Sequence, residues 1–156
     1  MPVTSAGVLL FRRAPELEVL VAHMGGPFWA RKQEHAWSIP KGELDPEEQP
    51  RAAALREFAE ELGLPAPEVD YANLGTVRYA SGKLLHVFAG EAPDFALDGF
   101  EPGTFELEWP PRSGRTAEFP EVDDVRWAGL AEARTLLVKG QLGALDALER
   151  HLATSA

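Results

Sequence analysis

The chain has 156 residues, 45% of them hydrophobic, and carries 15 Lys and Arg against 25 Asp and Glu for a formal net charge of -10. That size suits a single domain, residues 1–156, with one core, and the apolar content argues against wholesale disorder. The acidic balance opposes adhesion to a nucleic-acid backbone, and the absence of cysteine excludes disulfides, thiolate metal sites and cysteine nucleophiles.

Val3–Phe11 and Leu17–Ala22 read as strands joined by a turn around Ala14-Pro15-Glu16. The charge of Arg12-Arg13 follows the first apolar run instead of preceding it, so that run is not read as an export signal. No stretch approaches the roughly 18 apolar residues a membrane span needs; a cytoplasmic protein without a membrane partner is expected. A Gly25–Pro27 loop leads to the short run Ala36–Ile39, which Pro40 and Gly42 end. A helix is expected from Pro50 to Leu62. Pro50 suits a first helical position, Gly63 a left-handed cap, and Pro65 bars resumption. Pro46 is a rival start, but it would leave Pro50 inside the helix. Leu74–Tyr79 and Leu84–Ala89 read as strands around a Ser81-Gly82 turn, whereas residues 92–120, rich in Pro, Gly and aromatics, show no clear element. Val125–Ala128 reads as a last strand, and Leu130–Val138 and Leu142–Leu152 as helices parted near Gly140. This order points to an α/β chain with a mixed sheet between helices.

At about 100° per residue, Ala52, Leu55, Ala59 and Leu62 share one stripe of the central helix, with Phe58 at its border. Glu57, Glu60 and Glu61 project from the opposite side and Arg56 lies on the margin. Carboxylates at i,i+3 and i,i+4 repel one another. A divalent cation removes that conflict, and hard oxygen ligands suit Mg²⁺. A bare Glu-x-x-Glu-Glu is more often a solvated surface, so its surroundings decide.

Those surroundings are Gly42, five residues, Glu48, seven residues, then Arg56-Glu57-Phe58-Ala59-Glu60-Glu61-Leu62-Gly63-Leu64. The segment resembles the Nudix box, Gly-x5-Glu-x7-Arg-Glu-U-x-Glu-Glu-x-Gly-U with U a bulky aliphatic. Its seven specified positions would coincide by chance in roughly one chain in 10⁵. Phe58 is an aromatic departure at the first U. The resemblance implies a Nudix fold, an α/β/α sandwich with a mixed β-sheet. It also implies a hydrolase using Mg²⁺, with Mn²⁺ as the alternative, that cleaves a diphosphate linkage in a small nucleotide-like substrate. Such a substrate is a nucleoside diphosphate joined to another moiety, as in a dinucleoside polyphosphate or an NTP.

By the same resemblance Glu57, Glu60, Glu61 and the Gly42 carbonyl hold the metal, and Arg56 pairs with Glu48 to orient the carboxylates. The general base is Glu57, Glu118 or Glu121, with Glu121 chosen ahead of Glu118 for its spacing to Trp127; either of the last two can instead be a further ligand or solvated loop. Asp123 and Asp124 read as plain acidic surface. The lead-in Trp37-Ser38-Ile39-Pro40-Lys41-Gly42 is similar to that of dinucleoside polyphosphate and diphosphoinositol polyphosphate hydrolases. Lys41 then either meets a phosphate or stands exposed, and Arg112 with Arg115 forms either a phosphate clamp or a basic loop. Trp29 and Trp109 stack on a base or join the core. His86 faces a cleft or serves the structure; His23, Arg31, Lys32 and Lys83 stay ambiguous. Two rivals remain: a Nudix-fold binding module without turnover, and RNA 5′-end processing, which the net charge opposes. The substrate's identity and the oligomeric state are left open.

Overall fold

A computed structural model describes residues 3–13 and 15–154. The elements are β1 (Thr4–Arg13), β2 (Leu17–Met24), β3 (Trp37–Ser38), β4 (Lys41–Glu43), α1 (Pro50–Leu62), β5 (Tyr71–Arg78) and β6 (Leu84–Glu91). They continue as β7 (Thr104–Glu108), β8 (Thr116–Pro120), β9 (Val122–Gly129), α2 (Leu130–Leu136), a 3-10 turn (Lys139–Gln141) and α3 (Leu142–Thr154). Ala14, in the expected first turn, lies outside the described residues. No helix among them is long and apolar enough to cross a membrane.

The near-continuous apolar run of β1 is buried from Ser5 to Phe11 because helices cover both faces of the sheet. Alternation along the strand divides the core. Leu9 and Phe11 join Val19, Val21, Leu85 and Val87 under Leu136, Leu145 and Leu148 of α2 and α3. Ala6, Val8 and Leu10 join Leu20 and Phe88 under Ala53, Ala54, Phe58 and Leu62 of α1. The layers form the expected α/β/α sandwich, and the sheet is mixed: β1 runs parallel to β6, while β2–β9 and β5–β6 are antiparallel.

The sheet forks. β1 and β2 pair only at their hairpin end, Phe11–Arg13 against Val19–Leu17. Farther on, residues 37–43 fill the gap between them: Trp37 and Ser38 pair with β2, and Lys41 to Glu43 with β1.

α1 has the limits read from sequence, with Pro50 at its start and Gly63 at φ 69°, whose N–H donates to the Ala59 carbonyl at 2.8 Å. Its orientation about its axis differs from the expected stripe. Ala53, Ala54, Phe58, Glu61 and Leu62 are buried, whereas Ala52 is exposed and Leu55 and Ala59 are only half-buried. Phe58 fills the space above the sheet and meets Phe95 edge-on at 5.7 Å. Seating that ring turns the i, i+4, i+7, i+8 set inward and carries Glu61 with it. In residues 92–120, β7 and β8 form a separate two-stranded ribbon, with Phe105 opposite Phe119 and Glu106 opposite Glu118.

Candidate active site

The fork brings the box together. Gly42 pairs with Ala6 in the sheet, and a Cβ on Gly42 would lie 2.0 Å from the Glu57 carboxyl group. Only a residue without a side chain lets the helix carboxylate come this close. One residue earlier, the Lys41 main-chain amide donates to the Glu61 carboxyl group. The start of β4 therefore touches two of the three helix glutamates.

Arg56 gathers the rest. Its Nε and Nη2 each donate to the Glu48 carboxylate at 2.8 Å in a two-pronged contact. Its Nη1 donates to Glu57 at 2.8 Å and Glu60 at 3.1 Å, and Nη2 also reaches the Glu43 carbonyl at 3.2 Å. The Glu48–Arg56 pair expected from sequence is present. Its main effect is to hold the Glu48 carboxyl well below its usual range, at about 2, helped by the Asp45 amide. The Arg56 guanidinium is in turn held above its ordinary value, chiefly by Glu48.

Glu61 is the unusual member. It is 8% exposed. Burial pushes its carboxyl up to about 7, opposed by Lys41 and reinforced by the charges of Glu121 and Glu57. Glu57 is also raised, first by burial, against the pull of Arg56 and with repulsion from Glu60 and Glu121. Glu60, by contrast, is 58% exposed and turns to Arg56.

Glu121 reaches this group from the far end of the chain. Its N–H donates to the Gly103 carbonyl at 2.8 Å, and its carbonyl accepts from the Gly25 N–H at 2.9 Å. A Cβ on Gly103 would lie 3.0 Å from the Glu60 carbonyl and 3.8 Å from the Glu121 carboxylate. The base of the β7–β8 ribbon is thus seated on the end of α1. Glu118 stands opposite Glu106 on the ribbon and is exposed. Of the two loop glutamates weighed from sequence, the structure brings Glu121 to the cluster.

These carboxylates fit a divalent cation in kind. A half-buried and a buried carboxyl group face a third with Lys41 as the nearby compensating charge, and one main-chain carbonyl lies within the same fork. Among the described residues, no three acidic or histidine side chains already converge in coordinating geometry, and Arg56 bonds both Glu57 and Glu60. Waters and substrate phosphates complete such a shell for Mg²⁺.

The other singled-out residues scatter. Arg112 and Arg115 sit exposed at the ribbon tip, where the Arg112 amide donates to Glu108; the tip is about 15 Å along the ribbon from Glu121. Trp109 packs edge-on against Phe28 at 5.7 Å, and half-buried Trp29 joins the core with the Lys32 ammonium 5.6 Å above it. Arg31 and Lys83 are exposed. His86 pairs across β1 in the row that holds Ala6 and Gly42, bonds Asn73 at 2.9 Å and stacks on Phe88. Asp123 is exposed, as expected, but its carboxylate also bonds His23 Nδ1 at 2.6 Å, while His23 Nε2 meets the Lys32 carbonyl at 2.6 Å. Gln141, which sequence reading passed over, is fully buried beneath the fork. Only its polar character amid the apolar positions of the last two helices could have marked it.

Residues 1–149 match the family model of the NUDIX domain. The chain is 37% identical over 59 residues to a CTP pyrophosphohydrolase of Escherichia coli, covering 38% of this chain and 43% of that protein. It is 30% identical over 118 residues to an RNA pyrophosphohydrolase of Shigella boydii, covering 70% and 64%. The matched stretches thus span less than two thirds of either relative. Among solved structures, a C. elegans Ap4A hydrolase binary complex superposes with a TM-score of 0.69 at 21% identity, over 96% of this chain and 98% of that one. With the family match running over nearly its whole length, this chain belongs to the Nudix family.

Proposed function

We propose that the protein is a divalent-cation-dependent hydrolase of a phosphoanhydride bond in a nucleotide-like substrate, with Mg²⁺ as the cation and Mn²⁺ as the alternative. The observation that carries this reading is the buried Glu61 carboxyl group, held on the Lys41 amide and facing Glu57 and Glu121. Burying like charges together is unfavourable unless something positive joins them.

Glu57, Glu61 and the Gly42 carbonyl would hold the cation, with Glu60 at its outer side. When bound, it supplies charge neutralisation at the phosphate oxygens and acidifies water. Arg56 is a positioning residue: pinned by Glu48, it orients Glu57 and Glu60. Glu121, to which no arginine pairs among the described residues, takes the proton of the attacking water as general base. The water oxygen bonds to phosphorus, and the bridging oxygen leaves with one phosphate product. Lys41, whose charge acts on Glu61, would meet a phosphate there.

The names of the similar proteins pair nucleotides with pyrophosphate cleavage, which supports this substrate class. The test offers the protein, with Mg²⁺, dinucleoside polyphosphates, NTPs and nucleotide sugars. Cleavage that persists undiminished after Glu60→Gln and Glu61→Gln together places the activity elsewhere. The similarity to RNA pyrophosphohydrolases favours a second reading, action on RNA 5′ ends; the charge of -10 favours free nucleotides. Rates on 5′-triphosphorylated RNA and on NTPs, compared at equal salt, decide between them.

A further inference from the structure

Between β3 and β4 the chain leaves one strand's ladder and joins another, and the main-chain groups in between need other partners. The Ile39 N–H finds one on a residue 102 positions away: it donates to Gln141 Oε1 at 2.9 Å. That bond sets the side-chain amide's orientation, so Nε2 donates to Ser38 Oγ and to the Tyr79 hydroxyl, each at 2.8 Å. Gln141 is 0% exposed with its amide bonded at both ends.

The surrounding segment is built the same way. The His35 N–H donates to the Thr135 carbonyl at 3.0 Å, and the Val138 N–H to the Trp37 carbonyl at 2.8 Å. A Cβ on Gly140 would lie 2.5 Å from the Tyr79 ring, so the glycine admits the tyrosine that Gln141 holds. Two residues beyond Ile39, the Lys41 amide meets Glu61, and Gly42 leaves room for Glu57.

We propose that Gln141 is a positioning residue for the carboxylate site, fixing the Ile39–Gly42 passage from behind so that the Lys41 amide and the Gly42 backbone meet α1 correctly. A leucine or methionine would fill the space equally well; neither supplies an acceptor to a buried N–H. The inference rests on the proposed cation site for its functional consequence, but not for its structural one.

The test uses Gln141→Met, which keeps side-chain length and loses the bonds, beside Leu148→Ala, a cavity variant of the same helical layer. In cation-free protein, the Ile39 and Lys41 amides of Gln141→Met should exchange about tenfold faster than global stability accounts for. Its Mn²⁺ affinity by calorimetry should fall about 10–100-fold, the range for lost outer-shell support. In the hydrolysis assay kcat should fall with KM little changed. Leu148→Ala should lose stability yet keep Mn²⁺ affinity within about twofold. If Gln141→Met does not fold, Tyr79→Phe removes one of its partners and should show the same changes at smaller size. Exchange that follows global stability alone, or equal loss of Mn²⁺ affinity in Leu148→Ala, overturns the inference. A wild type that neither binds Mn²⁺ nor hydrolyses the panel defeats the functional reading instead, and exchange at Ile39 still decides the role of Gln141.

Discussion

Glu61→Gln should make the cation-free protein more stable, although it removes a box residue. The folded protein raises this carboxyl from its ordinary value near 4.5 to about 7, chiefly by burying it. Below about pH 4.5 both the folded and the unfolded chain hold the proton, and the group contributes nothing to pH dependence. Between there and about pH 7 the unfolded chain releases it while the folded chain keeps it, so stability falls as pH rises. Above about pH 7 the full penalty applies. At about 1.4 kcal/mol per tenfold change in proton affinity, it amounts to roughly 3 kcal/mol. The side chain is only 8% exposed, so solvent does little to screen it.

Urea unfolding with EDTA at pH 8 and pH 5 measures this directly. At pH 8 the variant should exceed wild type by roughly 2–3 kcal/mol, equivalent to about 4–12 °C in Tm; at pH 5 the gap should shrink to about 1 kcal/mol or less. The glutamine carbonyl can still accept from the Lys41 amide, so that contact does not confound the comparison. Millimolar Mg²⁺ should then raise wild type by about 1.4 kcal/mol for each tenfold excess over Kd and leave the variant almost unmoved. A variant less stable than wild type at pH 8 without cation would refute the reasoning, because it would mean the ionised carboxylate is well accommodated by its own surroundings.

Gly42→Ala places a methyl group on the Glu57 carboxyl position; that side chain can swing away, so folding should persist while Mg²⁺-dependent hydrolysis drops at least about 100-fold. Arg56→Lys keeps the charge but not the two-pronged hold on Glu48, and kcat should fall about 10–100-fold with the far-UV spectrum unchanged. Glu121→Gln should lower kcat about 10²–10⁴-fold, whereas Glu118→Gln should stay close to wild type; the reverse ranking in the same assay would reassign the base. Phe58→Ala should destabilise by about 3–5 kcal/mol in urea unfolding, because its ring is fully buried between the sheet and Phe95.

Local chemistry made part of this site legible and left the rest hidden. Pro50 and Gly63 marked the ends of α1 because each has a backbone property that no partner can override. The Glu48–Arg56 pair and the tight space at Gly42 followed from a short motif whose members meet through nearby chain. The helical wheel erred because it weighs hydrophobicity alone. One large ring at residue 58 set the orientation of the helix and drew Glu61 to the sheet side. Sequence ranked Glu121 only narrowly ahead of Glu118, by its spacing to Trp127, since the difference lies in which one follows the ribbon's last pair and bonds Gly25 and Gly103. The bond of Asp123 could not be read from sequence because its partner, His23, is 100 residues away, and beyond its polar character Gln141 gave no hint of its partner, Ile39, 102 residues away. The β7–β8 ribbon escaped notice because it packs outside the main sheet, so its alternation is shallow.

The fork in the sheet explains why the site's two electrostatic solutions lie side by side. Where strands pair along their length, main-chain amides are consumed by the ladder. Where β1 and β2 part, the Lys41 amide is free to meet a carboxylate and the Ile39 amide must borrow a side chain. Glu57 and Glu60, at the mouth of the fork, are compensated by Arg56. Glu61, deeper in, is out of the guanidinium's contacts and is left near neutrality by burial. A cation entering the fork would thus find one carboxyl ready to release a proton and others already oriented by an arginine. It follows that cation binding should release close to one proton near pH 6 and far fewer above pH 8. Titrations in two buffers of different ionisation enthalpy would read that number, and uptake of no proton difference across this range would separate Glu61 from the cation altogether.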